Sequence, residues 1–251
     1  MATQKKPTAV KKPTAKKPAA KKVPSGLEQV EPSVIITNIY STNVIEGINQ
    51  CDKMLESFEK HGYEVANISA GRKIMGNGAI IRELYQCYKR AATGHTHFCY
   101  ADGGDTYCQR PFKVPADKLV YSAESNCYPL PELAKVSPYK GDSPYKYLNG
   151  GNYAGPLSLA IEFFEKYLLP IVGKVDANGQ AEQMKAYLQA EKDGFPIVLD
   201  HDCEIFQTTA FSSEADYDLS GKLIKNKHTG TTPAILHANG RSPMKWIFDH
   251  K

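Results

Sequence analysis

The chain has 251 residues, enough for one large domain, and its 31 basic and 27 acidic side chains give a formal charge of +4. Residues 1–22 hold eight lysines and no acid, so the remainder carries 23 basic and 27 acidic side chains. This distribution excludes a basic globular body, and any nucleic-acid binding would depend on the N-terminal segment. No apolar run approaches the roughly 20 residues that span a bilayer, which excludes a membrane-spanning protein.

The N-terminal segment is a repeat of lysine pairs followed by proline, over residues 5–24. Frequent proline and repelling like charges predict a disordered basic tail over residues 1–25, ahead of a folded domain over residues 33–251. Two roles are compatible with it: a solubilising extension, or an electrostatic arm that binds nucleic acid through residues 5–22.

The expected compartment follows from the cysteines and from the start of the chain. No apolar segment of the signal-peptide type follows the first lysines, and the six cysteines show no C-x-x-C spacing. We therefore expect reduced thiols and a cytoplasmic location, with no membrane partner. A compact domain with such a tail would suit a virus or a microbe as its source.

From residue 34 the hydrophobic periodicity predicts an α/β domain. An unbroken β-branched run is typical of a strand buried on both faces, and apolar residues spaced by three and four are typical of a helix with one core face. The predicted order is strand 34–40, helix 44–61, strand 63–68, helix 79–92 and strand 97–101. This alternation indicates a Rossmann-like half.

The second half is less regular and predicts a mixed arrangement of strands and helices. The predicted order is strand 119–123, helix 157–169, helix 181–191, and short strands at 197–199, 204–206 and 234–236. We expect these elements to complete a single α/β domain with a mixed sheet and long loops on an acceptor side.

Two acids follow the strand predicted over 97–101, in the turn Asp102-Gly103-Gly104-Asp105. An apolar strand that ends in carboxylates places them at the carboxyl edge of the sheet, where open α/β folds bind ligands. The two glycines allow a tight turn, so both acids can face one point. Oxygen ligands on such a turn suit Mg²⁺ or Mn²⁺, although Asp and Gly are also ordinary turn residues.

A second polar group follows the last predicted strand. His237 ends this strand, and Asn239 and Gly240 come next. An imidazole beside carboxylates favours Mn²⁺, whereas a histidine that stands alone after a strand is more often structural. The Asn239-Gly240 backbone offers N–H groups to phosphate oxygens, and Arg241 and Lys245 supply positive charge for the same donor site.

Five motifs occur in one order over about 140 residues. They are F-C-Y-A-D-G-G-D (98–105), V-Y-S-A-E-S-N-C-Y-P (120–129), Y-K-Y-L-N-G-G-N-Y-A-G (145–155), L-D-H-D-C-E-I-F-Q (199–207) and I-L-H-A-N-G (235–240). With this combination the chain resembles the glycosyltransferase domain of procollagen lysyl hydroxylases, whose general plan the collagen galactosyltransferases share. The resemblance covers most of the chain from residue 34 and does not extend to the tail.

The resemblance implies a GT-A-type fold, a Rossmann-like single domain with a mixed sheet, that uses Mn²⁺ (or Mg²⁺) and a UDP-sugar. In the family the D-x-x-D pair and the histidine of H-x-N-G bind the metal, which corresponds to Asp102, Asp105 and His237. The asparagine and glycine of the same motif lie against the diphosphate, which corresponds to Asn239 and Gly240.

The resemblance also implies residues on the sugar or acceptor side. Glu124 matches the acid of the family's S-A-E motif, and Asn149 matches the asparagine of its L-N-S-G-G motif. These two and Glu182 form the predicted catalytic set, in which Glu124 or Glu182 acts as a base or as an anchor for sugar hydroxyls. Thr37, in the first predicted strand, completes the predicted donor-binding set.

Three positions depart from the family pattern. Gly104 stands where the family usually has an aromatic residue between its acids, so Tyr40 or Tyr107 would have to supply a ring for the uracil. Tyr128 replaces a tryptophan and still offers an aromatic platform for a sugar face. An acidic run is reduced to the single acid Glu182, which predicts a different acceptor if those acids position the acceptor.

We therefore expect a metal-dependent glycosyltransferase that moves a hexose from a nucleotide-sugar to an acceptor hydroxyl, by resemblance a hydroxylysine of a collagen-like protein. A first alternative is a hydroxylated DNA base as acceptor, with the basic tail on the duplex. A second alternative, a non-catalytic binding protein on the same fold, fits less well with an intact set of Asp102, Asp105 and His237.

Overall fold

The structure is a computed structural model that describes residues 28–38, 44–45, 48–69, 74–173 and 178–250, and the predicted tail lies outside these ranges. The helices are α1 (Gln50–Glu59), α2 (Asn77–Ala91), α3 (Leu157–Phe163), α4 (Gly179–Lys192) and α5 (Lys245–Asp249). A π-helical turn over Phe164–Leu168 continues α3. Short 3₁₀ turns cover Pro131–Val136, Glu214–Asp216 and Asn239–Arg241.

The strands belong to one six-stranded sheet and several small sheets. In chain order they are β1 (Gln29–Val30), β2 (Val34–Thr37), β3 (Val44–Ile45), β4 (Ile48–Asn49), β5 (Val65–Asn67), β6 (His97–Ala101), β7 (Thr106–Cys108), β8 (Val114–Pro115), β9 (Leu119–Glu124), β10 (Tyr147–Pro156), β11 (Ile197–Asp200), β12 (Phe206–Thr208), β13 (Tyr217–Asp218), β14 (Lys225–Asn226) and β15 (Ile235–His237).

The central sheet has six strands in the order β11-β9-β10-β6-β2-β5. β2 pairs in parallel with both β5 and β6, so β2, α1, β5, α2 and β6 form the predicted Rossmann-like half. β10 runs antiparallel to β6 and β9, whereas β11 is parallel to β9. The prediction of an α/β domain with a mixed sheet is confirmed.

The two faces of the central sheet are covered differently. Helices α2, α3 and α4 pack on one face, around a core that includes Phe98, Tyr121 and Tyr153. On the other face, α1 and a three-stranded sheet in the order β12-β15-β7 pack against Ile35 and Cys99. The small sheet therefore lies over the strand ends that carry the predicted site residues.

The predicted helix over 44–61 is wrong in its first turns, because α1 begins at Gln50. The segment before it forms the antiparallel pair β3–β4, with Val44 opposite Asn49 and Ile45 opposite Ile48. Val44, Ile45 and Ile48 are β-branched, and such residues favour strands over helices. The helical spacing read through this segment was coincidental.

The ten-residue strand β10 was not predicted, although it lies in the middle of the sheet. Its sequence is rich in asparagine and glycine, and these residues have low strand propensity. Its pairing with β9 shifts register between Asn149 and Tyr153, which places Gly150 and Gly151 in an irregular stretch. The strand exists because it is buried between β6 and β9, not because of its local sequence.

The remaining predicted elements lie within a few residues of the observed ones. The strand predicted over 34–40 ends at Thr37, and residues 39–40 of that prediction lie outside the described ranges. The strand predicted over 204–206 lies at Phe206–Thr208. All six cysteines are buried and free, in agreement with the expectation of reduced thiols. Among the helices of the described ranges, none combines the length and the hydropathy needed to cross a membrane.

Candidate active site

The D-x-x-D turn begins where β6 ends, and two features hold it in place. The backbone N–H of Asp102 donates a hydrogen bond of 2.8 Å to the carbonyl of Gly151 on β10. Gly104 has φ +94°, a conformation that side chains with a Cβ rarely adopt. A glycine at this position therefore lets the chain reverse quickly enough to present both Asp102 and Asp105.

His237 reaches the same point from the small sheet, as the last residue of β15. The backbone N–H of Ala238 donates to the carbonyl of Asp105 at 2.8 Å, which joins the end of β15 to the turn. A Cβ on Gly151 would lie 2.2 Å from Cε1 of His237. Gly151 is thus a glycine because the imidazole packs directly on its backbone.

Asp102, Asp105 and His237 form a compact cluster in which the three potential ligand atoms lie within 4.8 Å of one another. Nε2 of His237 is 3.3 Å from Oδ1 of Asp105. That carboxylate oxygen is buried and has no hydrogen-bond partner among the described residues. A buried carboxylate oxygen without a partner is costly, and a bound cation removes this cost.

Asn149 determines which nitrogen of His237 faces the cluster. Oδ1 of Asn149 accepts the backbone N–H of Gly151 at 3.0 Å, which identifies this atom as the amide oxygen. The same oxygen lies 3.1 Å from Nδ1 of His237, so Nδ1 must carry the proton. Neutral His237 therefore points the lone pair of Nε2 at Asp105, as a metal ligand would.

Burial and charge perturb the acid–base behaviour of the cluster. Burial and the neighbouring charge of Asp105 raise the pKa of Asp102 to about 6. Burial lowers the pKa of His237, but the carboxylates of Asp105 and Asp102 outweigh it and the net shift is upward. The cluster thus favours added positive charge, and its nitrogen and oxygen donors fit Mn²⁺ or Mg²⁺.

Glu124 is buried beside the cluster and is surrounded by amide groups. Nδ2 of Asn239 donates to its carboxylate at 2.8 Å, and Nε2 of Gln180 donates to the other oxygen. Burial raises the pKa of Glu124 to about 7, although hydrogen bonds from Gln180, Asn149 and Asn239 favour the charged form. The carboxylate thus ties β9, β10, α4 and the turn after β15 together.

Asn239 and Gly240 lie in the turn that follows β15. The side chain of Asn239 also accepts the backbone N–H of Ala210 at 3.0 Å, so both ends of its amide are engaged within the protein. Gly240 has φ +64°. Contact between this turn and a diphosphate therefore stays a prediction that rests on backbone N–H groups.

Three other predicted residues contact partners outside the cluster, although Thr37 lies opposite Ala101 in the sheet, one residue before Asp102. Thr37 is fully buried at the end of β2, with its hydroxyl 3.9 Å from the sulfur of Met54. Lys245 begins α5 and forms an ion pair of 2.6 Å with Asp249. Glu182, in the first turn of α4, pairs with Lys185 at 3.3 Å. Their assigned roles stay predictions.

The remaining predicted side chains concern the donor nucleotide. Arg241 is described only through its backbone, and Tyr40 lies outside the described residues. Tyr107 is buried, with Nζ of Lys60 over its ring and Phe248 packed against it. A uracil would have to displace these neighbours before it could stack on Tyr107.

A pocket of about 340 Å³ opens beside Asp102, on the face of the sheet that α2 and α4 cover. Sequence reasoning missed its lining amides, which are Asn38, Asn77, Asn178, Gln180 and Gln183. One signal was available: Asn38 directly follows a buried strand, and polar residues at such positions line ligand clefts in open α/β folds. Tyr128 lines the same pocket and is 61% exposed.

Comparison with known proteins identifies the family of the chain. The family model described as "PLOD GT domain" matches residues 99–248, more than half of the chain. The human multifunctional procollagen lysine hydroxylase and glycosyltransferase is 24% identical over 242 residues, covering 88% of this chain and 32% of its own length. An uncharacterized protein of Acanthamoeba polyphaga mimivirus is 30% identical over 139 residues, covering 55% of this chain and 28% of its own length.

The chain thus spans about a third or less of these relatives. Among solved structures, a glycosyltransferase involved in the glycosylation of the major capsid of PBCV-1 has a TM-score of 0.50 and 13% identity, with 87% of this chain and 98% of that chain covered. This likeness shows a shared fold. The five motifs, the site geometry and the family match lead to one conclusion: the chain belongs to the PLOD GT-domain family and is a glycosyltransferase.

Proposed function

We propose that this glycosyltransferase moves a hexose from a nucleotide-sugar, UDP-linked as the family resemblance implies, to an acceptor hydroxyl, and that it does so with a divalent cation. Asp102, Asp105 and His237 would hold Mn²⁺ or Mg²⁺. The observation that carries this proposal is the convergence of three potential ligand atoms within 4.8 Å of one another, in which Nε2 of His237 and Oδ1 of Asp105 are 3.3 Å apart.

The transfer breaks the bond between the anomeric carbon and the phosphate oxygen, and the electron pair leaves with the nucleoside diphosphate. The acceptor oxygen forms the new bond to the anomeric carbon and loses its proton to water or to a protein base. A bound cation would neutralise charge on the leaving diphosphate. One arrangement of the described residues supports this proposal: the D-x-x-D turn and β15 converge at one edge of the sheet, next to the pocket.

Asn149 and Glu124 support the site through other side chains. Asn149 orients the imidazole of His237, and Glu124 holds Asn239 and Gln180 in place. Because amide donors engage both carboxylate oxygens, we assign Glu124 an organising role ahead of the role of base. The anchoring of sugar hydroxyls that the motif suggested for Glu124 is a different role and stays a prediction.

The proposal leaves the acceptor at the level of a hydroxyl group. Hydroxylysine is suggested by the names of the procollagen-modifying relatives, and a hydroxylated DNA base by the lysine-rich tail. The mimivirus relative supports a viral or microbial source for the chain, and we propose that the enzyme acts in the cytoplasm of a host cell.

The test measures metal binding and donor hydrolysis in the same variants. Asp102→Ala and His237→Ala should each lower the affinity for Mn²⁺ by about 100-fold or more, measured by calorimetry, and abolish the Mn²⁺-stimulated release of UDP from UDP-glucose or UDP-galactose. His228→Ala is the matched control, because His228 is exposed and pairs with Asp216 outside the site. Unchanged Mn²⁺ binding in both site variants would refute the metal assignment.

A further inference from the structure

The space between the central sheet and the small sheet of β12, β15 and β7 is filled by two unlike layers of side chains. Side chains alternate along a strand, so every second residue of each strand faces this space. One layer is apolar: it contains Ile35 and Ala154 of the central sheet and Phe206 and Ile235 of the small sheet. Such a layer is the ordinary filling between two packed sheets.

Two residues further along the same strands, towards the D-x-x-D turn, the side chains in this space are polar. They are Ser122 on β9, Asn152 on β10, Thr106 on β7, Thr208 on β12 and His237 on β15. The last three lie side by side across the small sheet, because His237 pairs with both threonines. These five side chains form the polar layer.

Four polar atoms of the polar layer have no hydrogen-bond partner among the described residues. They are Nδ2 and Oδ1 of Asn152, Oγ of Ser122 and Oγ1 of Thr106. None of these three residues has exposed surface. A buried polar atom without a partner is rare and costly, so four of them in one layer point to a ligand that the layer encloses.

The chemistry of these atoms selects the class of ligand. The amide of Asn152 offers both a donor and an acceptor, and the hydroxyls of Ser122 and Thr106 can each donate and accept. The Nδ2 N–H groups repel a cation, and Oδ1 repels an anion. Water both donates and accepts, and a buried water typically makes about three hydrogen bonds to groups of this kind.

The size of the side chains is compatible with enclosed water. Packed sheets lie about 10 Å apart. The apolar layer spans this distance with large side chains such as Phe206. In the polar layer Ser122 and Thr106 are short, and so is Ala101, the sheet neighbour of Asn152. Short side chains on facing sheets leave space for a small polar molecule between them.

We propose that the polar layer encloses ordered water that joins the two sheets, and that Asn152 is a positioning residue that holds this water. His237 belongs to the small sheet, whereas Asp102 follows a strand of the central sheet. The spacing of the sheets therefore sets the distance between these two side chains. Water bonded to Asn152 on one sheet and to Thr106 on the other fixes that spacing. The consequence for a bound cation rests on the function proposed above, and the water itself does not.

The first experiment detects the water in the full-length protein. Oxygen-17 magnetic relaxation dispersion counts long-lived water molecules in the wild type and in Asn152→Leu, which replaces both polar atoms of the amide by methyl groups. We expect the variant to lose at least one such water. In a crystal structure of the wild type we expect water density within hydrogen-bond distance of Asn152 and Thr106. An equal count in both proteins, or no density against Asn152, would overturn the proposal.

The second experiment uses the sign of a stability change. Thr106→Val keeps the shape of the side chain and removes its hydroxyl. In a dry layer this would delete an unpartnered polar atom and lower the unfolding equilibrium constant, whereas in a hydrated layer it deletes a hydrogen bond to water. We therefore expect the unfolding constant, from urea denaturation, to rise about fivefold.

Thr208→Val is the matched control for Thr106→Val, because the hydroxyl of Thr208 donates to the carbonyl of Ala123. It removes a hydrogen bond that the structure shows, so its unfolding constant should rise by a similar factor. A lower unfolding constant for Thr106→Val than for the wild type would contradict enclosed water.

The third experiment separates positioning from a merely structural role. Asn152→Leu should lower the affinity for Mn²⁺ about tenfold, measured by calorimetry under conditions where the protein is fully folded. Asn152→Ser, which keeps a group that can bond water, should retain most of the affinity. Ile35→Val is the control: it truncates the apolar layer between the same sheets and should raise the unfolding constant without changing Mn²⁺ affinity.

Two outcomes would contradict the positioning role. If Asn152→Leu lost the water and still bound Mn²⁺ like the wild type, Asn152 would not position the cluster. If the wild type bound no divalent cation, the proposed function would fail together with the positioning role, whereas the water would still be detected.

Discussion

The two halves of the central sheet are built on different principles. In the parallel half, residues 34–101, the strands β2 and β6 are apolar and buried over almost their whole length. In the glycine-rich half, residues 119–240, the central strand β10 contains Asn149, Gly150, Gly151 and Asn152. The parallel half forms a regular, apolar support. In the glycine-rich half the pairing of β10 with β9 is irregular, and polar side chains lie close together at the site.

This difference predicts which property a substitution affects in each half. In the parallel half a side chain contributes mainly through the apolar surface that it buries. In the glycine-rich half, buried side chains also form hydrogen bonds between segments that are distant in the chain, such as the bond from Asn239 to Glu124. Substitutions in the parallel half should therefore lower the free energy of unfolding. Substitutions in the glycine-rich half should weaken metal binding or change how the free energy of unfolding depends on pH.

The largest expected effect is that of Gly151→Ala in the glycine-rich half. The new Cβ would lie 2.2 Å from Cε1 of His237, so the imidazole has to move away from Asp105. We expect Mn²⁺ affinity to fall about 10- to 100-fold and metal-stimulated UDP release to be lost, measured by calorimetry and by UDP assay.

Gly94→Ala is the control for this substitution, since a Cβ there has nothing within 4 Å. Its stability should change by no more than about 0.5 kcal/mol. If Gly151→Ala bound Mn²⁺ like the wild type, the close contact with His237 would not matter for the site.

The next effect is that of Ile36→Ala in the parallel half. Ile36 lies in β2 and has no exposed surface, so its truncation leaves a cavity in the core. We expect the free energy of unfolding to fall by about 2–5 kcal/mol, measured by urea denaturation, with Mn²⁺ affinity unchanged at low temperature. Val198→Ala on β11 is the control, because Val198 is 38% exposed and should tolerate the change. Loss of Mn²⁺ binding by folded Ile36→Ala would contradict the proposal that substitutions in the parallel half affect stability and not metal binding.

The smallest effect concerns the pH dependence of stability in the glycine-rich half. Asp200 is buried at the end of β11, where it accepts backbone N–H groups from Glu204, Ile205 and Phe206. Burial outweighs these bonds and raises its pKa from 3.8 to about 6. The folded state thus holds the proton more tightly than the unfolded state does.

The resulting stabilisation is fully present below pH 3.8 and is lost as the pH rises through about 6. Over this window the contribution of Asp200 to the free energy of unfolding should fall by up to about 3 kcal/mol. In Asp200→Asn that part of the slope should disappear, whereas the exposed neighbour variant Asp202→Asn should keep it. Urea denaturation at several pH values measures both, and equal slopes in Asp200→Asn and the wild type would exclude Asp200 as the source.

Much of the fold could be predicted because the relevant signals are local in the sequence. The buried run that begins at Val34 and the strand His97–Ala101 follow from apolar residues alone, and the turn after Ala101 follows from its two glycines. The ordered motifs then identified the family, which the comparison confirmed. Asp102, Asp105 and His237 were chosen from chemistry and from motifs, and the structure brings them together.

Tertiary structure alone decided the rest, since its determinants are far apart in the chain. β10 is a strand because its neighbours bury it, against the preference of its own glycines and asparagines. Asn149 orients a histidine 88 positions away, and Glu124 is held by an asparagine 115 positions away. The sequence by itself determined the fold class and the residue types of the proposed metal site, because periodicity and residue chemistry are local. The pocket, its amide lining and the orientation of His237 depend on contacts that form only when the two halves pack together.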